Sequence, residues 1–287
     1  MIQAVVLSVV LAFAPASAQI IPLQPLSGEA QAALGEAQAA ARDALAAGSS
    51  RPDEPLVRET IRLARRAVNL APEQPQTLEF LAEVYSDTGF YGPAFSIWRR
   101  FAEAGGSLDA DARSQFIESG VQVGYTRYHQ GNLGGALSAY RTVTEVAPED
   151  ETAQRWCGRI LLEQNRPEAA LPYWRRVLEL RPDDAGATYF LELTRAGIAH
   201  GLEAAEAFFG GVSDYEASRL EAARWGFARA TSLAPDYAEA WGYRGRLAFE
   251  AGDFAAAVTA YARASELAPQ SQTYRYFLRQ AKVRRDE

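Results

Sequence analysis

Residues 238–269, AEAWGYRGRLAFEAGDFAAAVTAYARASELAP, decide the fold. Trp241, Gly245 and Ala248 recur at helical spacing, as do Ala257, Tyr261 and Ala264, and Ala251-Gly252-Asp253 separates the two runs. Gly252 lacks a Cβ and can end the first helix in a left-handed conformation, and the Asp253 carboxylate can cap the start of the second. Pro269 stops that second helix. Gly245 and Ala257 are small where two helices must approach, while Trp241, Phe254 and Tyr261 are large enough to fill the gap between neighbouring pairs. One such pair cannot close a core, so the stretch predicts copies of itself.

The copies are found by counting back from prolines. Pro148 gives Val143, Tyr140, Ala136, Gly131 and Gly124; the same offsets from Pro182 give Val177, Trp174, Ala170, Asn165 and Gly158. Pro235 gives Ala230, Phe227, Ala223, Ser218 and Gly211. The spacing is 34 residues from Pro148 to Pro182 (182 − 148) and from Pro235 to Pro269 (269 − 235). Between Pro182 and Pro235 it is 53, or 34 + 19, and between Pro72 and Pro148 it is 76, or 34 + 34 + 8. The surplus is assigned to residues 185–203, AGATYFLELTRAGIAHGLE, and 109–116, DADARSQF. The first is expected as an extra helix. The second extends the following helix backwards, with Ser107 or Asp109 at its cap.

A 34-residue helix-turn-helix period with small residues at the helix contact, a large aromatic and a closing proline resembles the tetratricopeptide repeat family. The resemblance runs over residues 41–271 and implies an all-α fold: an α-solenoid, wound as a right-handed superhelix of helix-turn-helix repeats with closing helices. The first pair is degenerate, with Thr60 and Ala64 where later pairs carry alanine and an aromatic, and Gly105-Gly106 replaces the proline of the second. The expected organisation is a signal peptide at 1–18 and an extended lead-in at 19–26. A repeat block follows at 27–203 with its extra helix at 185–203, and a second at 204–287 with a closing helix at 270–284.

The export signal is read from AVVLSVVLAFA at residues 4–14, an apolar run followed by Pro15 and the small-x-small pattern Ala16-Ser17-Ala18. The run is shorter than the roughly 17 residues that span a bilayer. Cleavage is expected after Ala18, leaving a periplasmic or secreted protein with no stable membrane span.

Composition removes several function classes. A formal net charge of −7 argues against nucleic acid as a partner, because phosphate recognition needs clustered Lys and Arg. Cys157 is the only cysteine, so neither an intrachain disulfide nor a cysteine zinc site can form, and its neighbour Gly158 suits a small packing residue. His129 and His200 fall in different repeats. No metal, nucleophile or phosphate-loop motif is present, so no catalytic, metal or cofactor site is expected, and the protein is read as no enzyme.

What the resemblance implies instead is a groove lined by the first helix of each pair. Its inward residues are Glu79, Glu83 and Asp87, an acidic strip; Tyr125 and Tyr128; Arg155 and Arg159; then Tyr189, Phe208, Tyr215, Arg246 and Phe249. Aromatics offer contact area and arginine a planar fork for carboxylate, which suits a protein or peptide with apolar anchors. The bland reading of Arg155 and Arg159 is a ladder of ion pairs with Glu151 and Glu163. The sequence therefore predicts an exported scaffold that binds a protein or peptide through the groove, with self-association left open. The alternative is an assembly subunit of an envelope complex without a free peptide ligand.

Overall fold

The computed structural model describes residues 25–287, and among them there are fourteen α-helices and no strand. They divide into two compact units, one ending at Leu108 and one running Asp109–Glu287.

The first unit holds α1 (Gly28–Ala46), α2 (Pro55–Leu70), α3 (Pro75–Asp87) and α4 (Tyr91–Glu103). Ser27 caps α1 through its hydroxyl oxygen, which accepts from the Ala30 amide at 3.2 Å. In the degenerate α2, Thr60 is buried and turns its hydroxyl back to the Leu56 carbonyl at 2.9 Å. Arg65, next to the small Ala64, reaches the Tyr85 hydroxyl of α3 instead. Gly106 lies where an added Cβ would meet the Phe101 ring at 2.3 Å, so glycine closes this pair by making room for the ring.

The second unit holds α5 (Ala110–His129), α6 (Leu133–Val146), α7 (Glu151–Glu163), α8 (Pro167–Leu180) and α9 (Ala185–His200). It continues with α10 (Leu202–Glu216), α11 (Leu220–Leu233), α12 (Ala238–Glu250), α13 (Phe254–Leu267) and α14 (Gln272–Asp286). Asp109 caps the extended α5, whose 20 residues absorb the insertion at 109–116. The break within each pair is left-handed: Gly131, Asn165, Ser218 and Gly252 have φ of 75, 54, 58 and 75°.

A stack of rings on glycine holds this unit together. In each pair a glycine of the first helix faces an aromatic of the second, at 2.6 Å for an added Cβ on Gly124 against Tyr140 and on Gly158 against Trp174. The same distance is 2.9 Å for Gly211 against Phe227 and 2.8 Å for Gly245 against Tyr261. Any side chain there would push the helices apart. The far face of each ring takes the next first helix: Tyr140 stacks on Trp156, Trp174 on Phe190, Phe227 on Tyr243 and Tyr261 on Phe277, at 4.6–5.6 Å between centroids. Each such pair contributes roughly 0.5–1.5 kcal/mol beyond its buried area.

Three boundaries differ from the sequence expectation. The extra helix stops at His200 rather than 203, because Gly201 at φ 85° breaks the chain and residues 202 and 203 open α10. The closing helix spans Gln272–Asp286 instead of 270–284, since Ser271 caps it. The expected junction at 203/204 lies inside the second compact unit, where Leu202 packs against Gly197 across a one-residue turn. The division falls instead at 108/109, beside the glycine-containing connection between α4 and α5.

Candidate protein-interaction surface

The acidic strip of the first unit is one wall of two adjoining cavities. Glu79 and Glu83 line a space of about 440 Å³ with Leu34, Gln38 and Phe80. Asp87, one turn on, lines another of about 780 Å³ that shares Gln38 and Phe80. Glu79, Glu83 and Asp87 stand at i, i+4 and i+8 on α3, a spacing that places them along one side of the helix.

In the second unit the expected residues sort into two stations. At the first, the Tyr128 hydroxyl donates to Glu163 Oε1 at 2.7 Å and Arg159 Nε donates to the same oxygen at 3.0 Å. The guanidinium lies over both Tyr128 and Trp156, 5.8 and 5.4 Å from their centroids. Tyr125 packs edge-on against His129, 4.2 Å between centroids, and stays about half exposed. Holding its proton toward a carboxylate raises the Tyr128 pKa above that of a free tyrosine.

The second station repeats the first. Tyr215 donates to Glu250 Oε1 at 2.7 Å, Arg246 Nε to that oxygen at 3.0 Å, and Arg246 lies over the Tyr215 ring at 4.8 Å. Every residue is displaced by one interval, 87 residues: 215 − 128, 246 − 159 and 250 − 163. The stacked rings obey it too, Tyr243 matching Trp156 and Phe277 matching Phe190. The second unit is thus α5–α9 followed by α10–α14 on the same plan.

Arg155 belongs to neither station. It forms a two-pronged ion pair with Asp184, at 2.5 and 3.2 Å, and a longer one with Glu151 at 3.5 Å. Asp184 also accepts from the Ala187 amide at 2.6 Å as the cap of α9. The Arg155 guanidinium and that amide together hold the Asp184 carboxyl down at about 2. Sequence spacing joined Arg155 to Arg159; the structure separates them. Phe208, expected to face a partner, is buried in a core cluster with Phe227 and Tyr237, because those two rings and Tyr243 of α12 pack against it. Tyr189 remains on the surface, edge-on to Phe209 at 5.5 Å.

Arg246 and Phe249 line a cavity of about 560 Å³ among α12, α13 and α14, walled by Tyr243, Tyr261, Tyr274 and Phe277. None of these four rings stood among the sequence candidates. For Tyr243, Tyr261 and Phe277 the signal was the interval of 16 residues from each second-helix ring to the next first-helix ring (243 − 227, 277 − 261); Tyr274 had none. Cys157 is buried, and burial pushes its thiol up to about 12, which makes it a packing residue. Among the described residues no group of three or more His, Cys, Asp or Glu converges as metal ligands, and no helix is long and apolar enough to cross a membrane.

Paired antiparallel helices, a glycine under a ring in each pair and left-handed breaks at fixed positions define an all-α solenoid of helical repeats. Models of the tetratricopeptide repeat match residues 124–185 and 238–271, so these stretches carry tetratricopeptide repeats. A peroxisomal targeting signal receptor of Kluyveromyces lactis is 29% identical over 106 residues, 36% of this chain and 19% of the receptor. The chain therefore matches about a fifth of that relative's length. Among solved structures, YrrB, a TPR protein with an unusual peptide-binding site, is 17% identical over 74% of this chain and 96% of its own, with a TM-score of 0.30. Pseudomonas aeruginosa pilF is 16% identical over 88% and 99%, with a TM-score of 0.29.

Proposed function

We propose that the protein is a non-catalytic scaffold, exported to the cell envelope, that binds a protein or peptide through the aromatic cavity among α12, α13 and α14. The observation that carries this reading is the cavity itself. Its volume of about 560 Å³ falls in the range of roughly 300–1,000 Å³ that accommodates buried ligands, and rings supply most of its walls. Glu239, Arg246 and Glu250 at its margin add charges that orient a peptide by hydrogen bonding. The repeat family supports a protein or peptide as the occupant, and the apolar run at 4–14 with Ala16-Ser17-Ala18, outside the described residues, supports export.

Capture from envelope extracts tests the site. Phe249→Ala and Tyr274→Ala should each remove the proteins that the parent chain retains, whereas Tyr276→Ala, on an exposed residue of the same helix as Tyr274, should not. Retention of the same partners by all three variants overturns the cavity reading and favours the assembly-subunit alternative. Fractionation with N-terminal sequencing tests export: a chain that keeps Met1 and stays in the cytosol refutes it.

A further inference from the structure

A second surface follows from a missing helix. The second helices α6, α8, α11 and α13 are each 14 residues long. After α9 none follows, because Gly201 leads directly into α10, the first helix of the next pair. The face left uncovered is read from α7, where Gly158 is buried under Trp174 of α8 and Gln154 and Leu161, one turn to either side, are buried too. The residues 34 positions on, Thr188, Glu192 and Arg195, are all exposed. The row of second helices thus lacks a member between α8 and α11.

The α10–α11 pair carries the marks of that vacancy. Arg100, Arg176 and Arg263 each donate to the carbonyl of the proline closing the preceding second helix, at Pro72, Pro148 and Pro235 and at 2.8, 3.1 and 3.5 Å. Arg229 is the matching residue of α11 (229 − 176 = 53; 263 − 229 = 34), and it pairs with Glu203 and lies under the Trp225 ring at 5.3 Å instead. Trp225 is 64% exposed where the other pairs have Ser138, Pro172 and Thr259. Gly210 stands where they have Val123, Cys157 and Arg244. Two adjoining cavities, of about 670 and 310 Å³, share Glu203 and Glu206. The larger reaches from Pro167 and Glu168 of α8 to Leu233 of α11, and the smaller lies between Gly210 and Trp225.

We propose that this slot takes an amphipathic helix of a partner protein, about 14 residues long like the second helices it replaces. Its apolar side lies on Ile198, Trp225 and Leu233, its C-terminal carbonyls face Arg229, and its basic side chains meet Glu168, Glu203 and Glu206. The partner is thereby distinguished by positive charge on one flank of an apolar stripe. The slot is separate from the aromatic cavity, so each can fail without the other.

The probe is a dye-labelled synthetic peptide with the sequence of α8, PEAALPYWRRVLEL, which carries an apolar face and two adjacent arginines. Titrated with the intact chain, its anisotropy should saturate, and added salt should weaken the binding. Gly210→Phe should plug the slot and weaken binding by about tenfold or more. Nothing lies within 4 Å of the added Cβ and the ring is directed at the cavity beside Gly210, so its melting temperature should match the parent's. Phe249→Ala should leave this binding unchanged. No saturation by about 1 mM, equal binding to Gly210→Phe, or loss on Phe249→Ala would each overturn the proposal. Sedimentation velocity adds one more outcome: self-association of the chain that Gly210→Phe abolishes would give the slot to a second copy and refute the partner helix.

Discussion

The helices α5–α9 and α10–α14 share one frame and fill it differently. Glycine under ring, ring on ring, and Tyr–Arg–Glu recur at 87 residues, yet matched positions around the aromatic cavity diverge: Arg155 against Gly242, Ala187 against Tyr274, and Leu162 against Phe249. In α5–α9 the long Arg155 side chain runs to Asp184 and ties α7 to the start of α9. In α10–α14 the glycine leaves that space to the Tyr274 ring, which would lie 2.5 Å from an added Cβ, and the aromatic cavity results. The difference teaches that stacked rings set the spacing of the helices while the residues between them decide whether a ligand has room. The repeat closest to the ideal pattern, 238–269, borders the aromatic cavity.

The largest expected effect tests the shared frame. Trp174→Ala and Tyr261→Ala each delete a buried ring clamped between a glycine and a second ring. Each should cost roughly 3–5 kcal/mol in urea denaturation. A cost below about 1 kcal/mol in one half alone would show that the halves are held by different forces.

A smaller effect tests the filling. Gly242→Arg drives a side chain into Tyr274 and should cost roughly 1–3 kcal/mol. Adding Tyr274→Ala recreates the pairing of Arg155 with Ala187 and should recover much of that loss while removing partner capture. If the double variant is no more stable than Gly242→Arg, Tyr274 is not what fills the place of the arginine.

Smaller again is the left-handed turn. Gly131 in the first half corresponds to Ser218 in the second, both at positive φ, where a Cβ is strained. Ser218 is exposed, so Ser218→Gly should raise stability by roughly 0.5–1 kcal/mol, read as a higher urea midpoint at unchanged slope. A decrease would mean that the serine side chain supports the turn.

Helices and turns were legible because local chemistry fixes them: Asp253 caps as its position suggests, Gly252 turns left-handed, and Asp109 opens the lengthened α5. The acidic strip on α3 was legible for the same reason, since spacing alone aligns it. Contacts between repeats were legible only in part: Tyr261 was read as filling the gap to a neighbouring pair and does stack on Phe277. The ion pairs of Arg155 with Glu151 and of Arg159 with Glu163 were legible from their i, i+4 spacing, but the shorter pairing of Arg155 with Asp184, 29 residues away, was not. Phe208 looked outward because the period places it on a first helix, but Phe227 of α11 and Tyr237 and Tyr243 at α12 close over its ring. The cavity needed three helices at once, and only the 16-residue ring interval hinted at it.

The smallest expected effect separates the halves by pH. Asp184 caps α9 and binds Arg155, and its folded pKa is held at about 2, below the ordinary carboxylate value of 3.8. A depressed carboxylate stabilises the fold above its unfolded pKa, and that contribution is lost as pH falls through the folded value. The window is therefore from about pH 4 down to about pH 2. The matched cap of α14 is Ser271, whose hydroxyl oxygen accepts from the Tyr274 amide at 3.4 Å and carries no charge in that range. Amide exchange of α9 should accelerate on acidification through this window more than that of α14. The difference should stay under about 1 kcal/mol, because the ion pair is partly exposed and screened. Asp184→Asn keeps a capping oxygen and removes the titration, so it should flatten the pH dependence of α9 while leaving that of α14 in place. Equal acceleration of α9 and α14 in the parent chain would show that acid weakens the stack through some other carboxylate, and the Arg155–Asp184 tie would no longer distinguish the first half from the second.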